Sequence, residues 1–92
     1  MKASARHLLV QSEEECKKIK QDIIDGKVSF EEAAKKHSLC PSGARGGDLG
    51  TFSQGQMVPE FDKVVFNDEL NVVHGPVKTQ FGYHLLEVTS RG

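Results

Sequence analysis

This chain has no tryptophan, one tyrosine, two cysteines and three prolines in 92 residues. Neither charge is in excess: 12 Lys and Arg against 13 Asp and Glu leave a net charge of −1. No apolar run approaches the ~20 residues needed to cross a bilayer. Each shortage excludes something. Without a basic stripe to neutralise phosphates, nucleic acid is not the main partner. The same balance argues against an anionic membrane surface. Two cysteines allow at most one disulfide, and Cys16 falls among apolar residues at helical spacing, where a buried free thiol is ordinary. Two free thiols fit a reducing compartment, so a cytoplasmic protein is expected. Four histidines and two cysteines match no C-x-x-C or H-x-x-x-H spacing, so no metal is expected. The opening Met-Lys-Ala-Ser-Ala-Arg has no apolar segment behind it and does not read as a secretory signal, though the chain also reads as a domain taken from a longer secreted protein.

Ninety-two residues make one domain with a modest core, spanning 1–92. Ala5 to Gln11 reads as a strand. Ser12 with Glu15, and Ser29 with Glu32, are two capping boxes. Each opens an apolar stripe of helical period: Cys16, Ile19, Ile23 and Ile24, stopped by Gly26, then Phe30, Ala33, Ala34 and His37, ending near Ser38. Cys40 to Gly50 is turn material. Leu49 to Ser53 is a short strand, and Val58 to Asn67 a third helix. Asn71 to Val77 is loop and short strand, with a kink at Gly75-Pro76. Gly82 to Thr89 is a last strand, placed centrally because Leu85, Leu86 and Val88 leave few polar positions. The order predicts an α+β domain, a small mainly antiparallel sheet covered by helices.

Three segments carry the functional signal. They are Arg6-His-Leu-Leu-Val10, the stretch Arg45-Gly-Gly-Asp-Leu-Gly-Thr-Phe-Ser-Gln-Gly-Gln-Met-Val-Pro-Glu-Phe61, and Gly75-Pro-Val-Lys-Thr-Gln-Phe-Gly-Tyr-His-Leu-Leu-Glu-Val88. In this order, from about Ala5 to Val88, they resemble the parvulin family of peptidyl-prolyl cis/trans isomerases. The resemblance implies a four-stranded sheet with about four helices, one a short turn around Cys40 to Ala44, in the FKBP-like superfold. It implies that His7 and His84 sit side by side under the active site, with Cys40 facing substrate. Thr79 would bond to a histidine. Leu49, Met57 and Phe61 would line a pocket for the proline ring. The apolar Phe52, which also reads as a core residue, and Phe81 are further candidates for substrate contact, and Gln56 for a hydrogen bond to the substrate backbone. The implied partners are proline-containing peptides and unfolded or partly folded proteins. The implied enzyme is a monomer that uses no cofactor and forms no covalent intermediate.

Each residue also has a plainer reading. Buried histidines are commonly hydrogen-bonded core groups, a Met or Phe stripe is usually core, and Gln56 is by default an exposed loop residue. A thiol near two histidines invites a cysteine-hydrolase reading, but the local signatures of such enzymes are missing. The glycines at 46, 47, 50 and 55 do not form a phosphate cradle, because no G-x-x-x-x-G-K-[ST] occurs. Parvulins that select phosphoserine or phosphothreonine use basic residues after the first strand. Here Gln11-Ser-Glu-Glu-Glu15 is acidic, so no phosphate requirement is expected. A chaperone module with the same pocket but little turnover is the competing function.

Overall fold

The computed structural model describes residues 2–67 and 69–91. Four strands, β1 (Lys2–Val10), β2 (Asp48–Ser53), β3 (Val73–Thr79) and β4 (Gly82–Arg91), form one antiparallel sheet in the order β2-β1-β4-β3. The apolar last strand is therefore central, paired on both sides. Three α-helices accompany the sheet: α1 (Glu13–Ile24), α2 (Phe30–His37) and α3 (Pro59–Asn67). The family resemblance led us to expect about four. The fourth piece, Pro41–Arg45, is a single 3-10 turn, tightened by Pro41 at its start and closed by Gly46 at φ 70°.

The caps form where the sequence placed them. The Ser12 hydroxyl accepts from the Glu15 N–H at 3.3 Å, and Ser29 accepts from the Glu32 N–H at 3.1 Å. At the second box, Ser29 also donates to the Glu32 carboxylate at 3.1 Å. Three glutamates in the first turn of α1 complement its positive end. No helix among the described residues is long and apolar enough to cross a membrane.

Strand alternation splits the core into two layers. Leu8, Val10 and Leu85 point to the side covered by α1 and α2, where they meet Cys16, Ile19, Phe30, Ala33 and Ala34. Ala3, Ala5, Leu86 and Val88 point to the other side and meet Phe61, Val65 and Phe66 of α3. His7 and His84 belong by parity to this second face. The α3 layer covers only part of it, and a cleft opens beside the helix above the two imidazoles.

Gly47 makes this geometry possible. Its carbonyl accepts from the His7 N–H at 2.9 Å, locking the turn against β1. At φ 83°, an added Cβ would stand 2.1 Å from the His7 carbonyl oxygen, so only glycine fits.

Candidate active site

The two histidines are diagonal neighbours on the central strands. His7 pairs across from Leu86 and His84 across from Leu9, which puts the rings on one face two residues out of register. The rings stack with centroids 5.5 Å apart, and both meet Phe61 edge-on, at 5.4 Å from His7 and 4.6 Å from His84. Only 6% of His7 and 4% of His84 is exposed.

A line of hydrogen bonds runs through the pair. Phe81 N–H donates to Thr79 Oγ1 at 3.2 Å, and Thr79 Oγ1 lies 2.7 Å from His84 Nε2. The two Nδ1 atoms are 3.4 Å apart, His7 Nε2 is 2.9 Å from Ser42 Oγ, and Ser42 Oγ donates to Cys40 Sγ at 3.4 Å. One set of roles satisfies every group. If Ser42 gives its hydrogen to sulfur, its oxygen accepts from His7 Nε2–H. A neutral His7 then offers a bare Nδ1 to His84 Nδ1–H, and His84 Nε2 accepts from the Thr79 hydroxyl. Among the described residues, no buried side-chain nitrogen or oxygen lacks a partner.

Burial holds both imidazoles neutral. It lowers His7 to about 4, and it lowers His84 to about 4 with help from the neighbouring His7. Neither is a cation at neutral pH. The other cysteine has no part in this line: burial pushes Cys16 up to about 11, leaving an inert thiol.

Above the line lies a cleft of about 400 Å³. Its floor and walls include His7, His84 and Cys40 together with Leu49, Met57, Phe61 and Phe81. Thr79 does not reach the cleft; it is buried beneath, bonded to His84. Met57 lies two residues before α3 and Phe61 in its first turn, close enough to border one space.

Two predicted contacts are corrected. Phe52 pairs opposite Ala3 and packs edge-on against Phe66 at 6.2 Å, so its ring fills the core and does not line the cleft. Gln56 is exposed and turns back to accept from the Ser53 N–H, closing its own loop. Conversely, Leu9, Leu39, Pro41 and Val58 line the cleft without having been singled out. Ser42 was missed as well; its position two residues after Cys40, just after a proline, was the available hint. No group of three or more His, Cys, Asp or Glu is placed to hold a metal among the described residues.

An apolar cleft with a thiol at its wall and neutral imidazoles beneath has the shape and chemistry of a site for an apolar ligand. Comparison with known proteins fits that class. Residues 4–90 match the Rotamase family, the PPIC-type PPIASE domain. Foldase protein PrsA 1 of Bacillus cereus is 46% identical over 86 residues, covering 92% of this chain and 30% of that protein. The structure of the peptidylprolyl isomerase PrsA from Bacillus anthracis superposes with a TM-score of 0.92 at 38% identity, over 99% of this chain and 42% of that one. The parvuline NmPin of Nitrosopumilus maritimus matches end to end, with a TM-score of 0.86, 31% identity, and 97% of this chain against 96% of its own. The chain belongs to the PPIC-type peptidyl-prolyl cis/trans isomerase family, the parvulins. It spans about 30% of the length of the curated foldase relatives it matches.

Proposed function

We propose that the domain accelerates X-Pro bond rotation in unfolded and partly folded proteins without covalent chemistry. The observation that carries this is the placement of Cys40, His7 and His84 at the wall and floor of an otherwise apolar cleft that also holds Leu49, Met57 and Phe61. An amide rotates against a barrier of ~18–20 kcal/mol because resonance keeps it planar. Planarity carries charge separation, which water stabilises. An apolar cleft withdraws that support, and the twisted form suffers less. The proline ring rests against Met57, Phe61 and Leu49. Cys40 accepts from Ser42 at 3.4 Å, and its sulfur borders the space where the amide rotates, a polar group whose field favours the twisted state.

The histidines hold the line of donors in one direction. Being neutral, they neither take up nor release a proton during the turn. No bond breaks, so nothing in the cycle requires a cofactor. A proline-limited refolding assay with catalytic amounts of domain tests the reading. Faster refolding supports it, whereas suppressed aggregation with an unchanged rate supports a chaperone without turnover.

The site also bears on selectivity and setting. Helix α1 begins at Glu13 shortly after β1, with three glutamates in its first turn, and among the described residues no Lys or Arg lines the cleft. Phosphate before proline finds no counter-charge here. Equal or faster turnover of a plain peptide than of its phosphoserine twin is expected; the reverse ranking overturns it. Both cysteines are free, which supports a reducing, cytoplasmic setting, checked by fractionating cells. A net charge of −1 with no basic stripe supports action without nucleic acid or an anionic membrane surface, and the domain is proposed to act as a monomer. Elution at a mass well above 10.1 kDa would contradict the monomer. The antiparallel sheet with α3 across one face supports placement in the FKBP-like superfold, which superposition on an FKBP-type isomerase would check.

A further inference from the structure

Ser38 ends α2 without lining the cleft, yet its hydroxyl touches the segment that carries the thiol. Its oxygen accepts from the Leu9 N–H at 3.2 Å and from the Cys40 N–H at 3.3 Å. Beside it, Leu39 N–H donates to the Leu9 carbonyl at 2.8 Å. The pairing of β2 with β1 reaches only Arg6, so beyond that point Ser38 and Leu39 stand in for a neighbouring strand and satisfy both polar backbone groups of Leu9. The chain returns to β1 a second time, where the Gly47 carbonyl accepts from the His7 N–H. Gly47 N–H in turn donates to the Ser42 carbonyl at 2.9 Å. Cys40 and Ser42 therefore ride on a bridge with two footings on one strand: Leu9 through Ser38, and His7 through Gly47. Gly43 packs closely on the first footing, where an added Cβ would stand 2.9 Å from Ser38 Cβ.

We infer that Ser38 is a positioning residue for the isomerase: its hydroxyl sets where the Cys40 sulfur stands relative to His7 and the cleft. The inference rests on the isomerase reading. Pro41 has no N–H to offer and Leu39 gives its own to Leu9, so the Cys40 N–H is the bond that ties this end of the bridge to Ser38. Without the hydroxyl, the Leu9 and Cys40 N–H groups lose their common acceptor, and the sulfur is left with its 3.4 Å contact to Ser42. A group that acts by its field at the rotating amide is sensitive to a displacement of about 1 Å. The ring rests instead on Leu49, Met57 and Phe61, which stand on β2 and around the start of α3. Loss of the Ser38 hydroxyl is therefore felt in the twisted state and not in ground-state binding.

The test compares the wild type with Ser38→Ala, Ser38→Thr and Ile19→Val, the last in the core beneath α1 on the opposite face of the sheet from the cleft. NMR exchange on a short prolyl peptide gives kcat and KM, and the imidazole nitrogen signals are read on the same samples. Ser38→Ala should lose about tenfold in kcat with KM changed by less than about twofold. Its His7 Nε2 signal should move as the bond to Ser42 loosens, while His84 Nε2, held by Thr79, stays in place. Ser38→Thr keeps the hydroxyl and should keep most of the rate. Ile19→Val loses stability without touching the bridge and should leave kcat unchanged. A kcat for Ser38→Ala within about twofold of the wild type, or a loss that Ile19→Val shares, overturns the assignment, and so does a Ser38→Thr variant as slow as Ser38→Ala. If the wild type exchanges no peptide, the isomerase reading fails instead, and the His7 signal still decides whether Ser38 holds the bridge.

Discussion

Acidification should destabilise this domain through its own active site. The perturbation is a change from pH 7 to pH 5. Histidine in an unfolded chain has its ordinary value of 6.5, while His7 and His84 are each lowered to about 4 in the fold. Above 6.5 both states are neutral and stability does not vary. Between 6.5 and 4 the unfolded chain binds protons that the fold refuses, so stability falls as pH falls through that window. For one histidine the full gap of about 2.5 units corresponds to about 3.4 kcal/mol, and at pH 5 about 2 kcal/mol is already lost. For two the loss at pH 5 approaches about 4 kcal/mol, comparable with a large part of the 5–15 kcal/mol typical of a domain. The rings stack at 5.5 Å, so the protons enter as a coupled pair. Guanidinium titrations at pH 7, 6 and 5 measure this, with an unchanged m-value confirming the same transition. His84→Asn should roughly halve the slope between pH 6 and 5, leaving the share of His7. A wild-type stability that changes by less than about 0.5 kcal/mol over this range, or an imidazole signal already protonated at pH 6.5, would refute the buried neutral pair.

Three further outcomes are expected. Thr79→Val removes the hydroxyl bonded to His84 Nε2, should cost about 1–3 kcal/mol, and should shift the His84 nitrogen signals as the tautomer is released; unaltered turnover would count against the line of hydrogen bonds. Gly47→Ala forces a Cβ against the His7 carbonyl and should lower stability by about 3 kcal/mol or more, read from the denaturant midpoint. Met57→Ala should cut kcat/KM about tenfold on a short prolyl peptide while Met57→Leu keeps most of it; equal rates for both variants would remove Met57 from the ring pocket.

Local signals made most of the fold legible. Ser12 and Ser29 mark helix starts because a hydroxyl there satisfies an early N–H, a short-range effect visible in sequence. The apolar run at Leu85–Val88 marks a central strand for an equally local reason. Errors came where partners across the sheet decide. Lys2 to Ser4 look too polar for a strand, yet Lys2 pairs with Ser53 and Ala3 with both Phe52 and Arg91, so β1 starts three residues earlier than expected. Gly75-Pro76 breaks the register but does not end β3, which resumes pairing at Val77 and runs to Thr79.

The site divides the same way. His7, His84, Met57 and Phe61 were placed together only because a family resemblance joined segments distant in the chain; spacing alone left each a core residue. Phe52 read both as a core residue and as a substrate contact, and the packing against Phe66 decides for the core. Ser42 escaped notice because a serine in a Gly-rich turn is ordinary. Its role depends on the 3-10 turn that carries its hydroxyl to His7 Nε2.

The cleft either lowers the barrier of the prolyl amide or merely holds the chain. NMR exchange spectroscopy on a short Leu-Pro peptide, with the domain at about a hundredth of the peptide concentration, measures that directly. Cis-to-trans exchange should rise from the uncatalysed ~10–100 s to well under a second, with no protein–peptide adduct by mass spectrometry. Exchange that stays at the uncatalysed rate while the peptide visibly binds would contradict it.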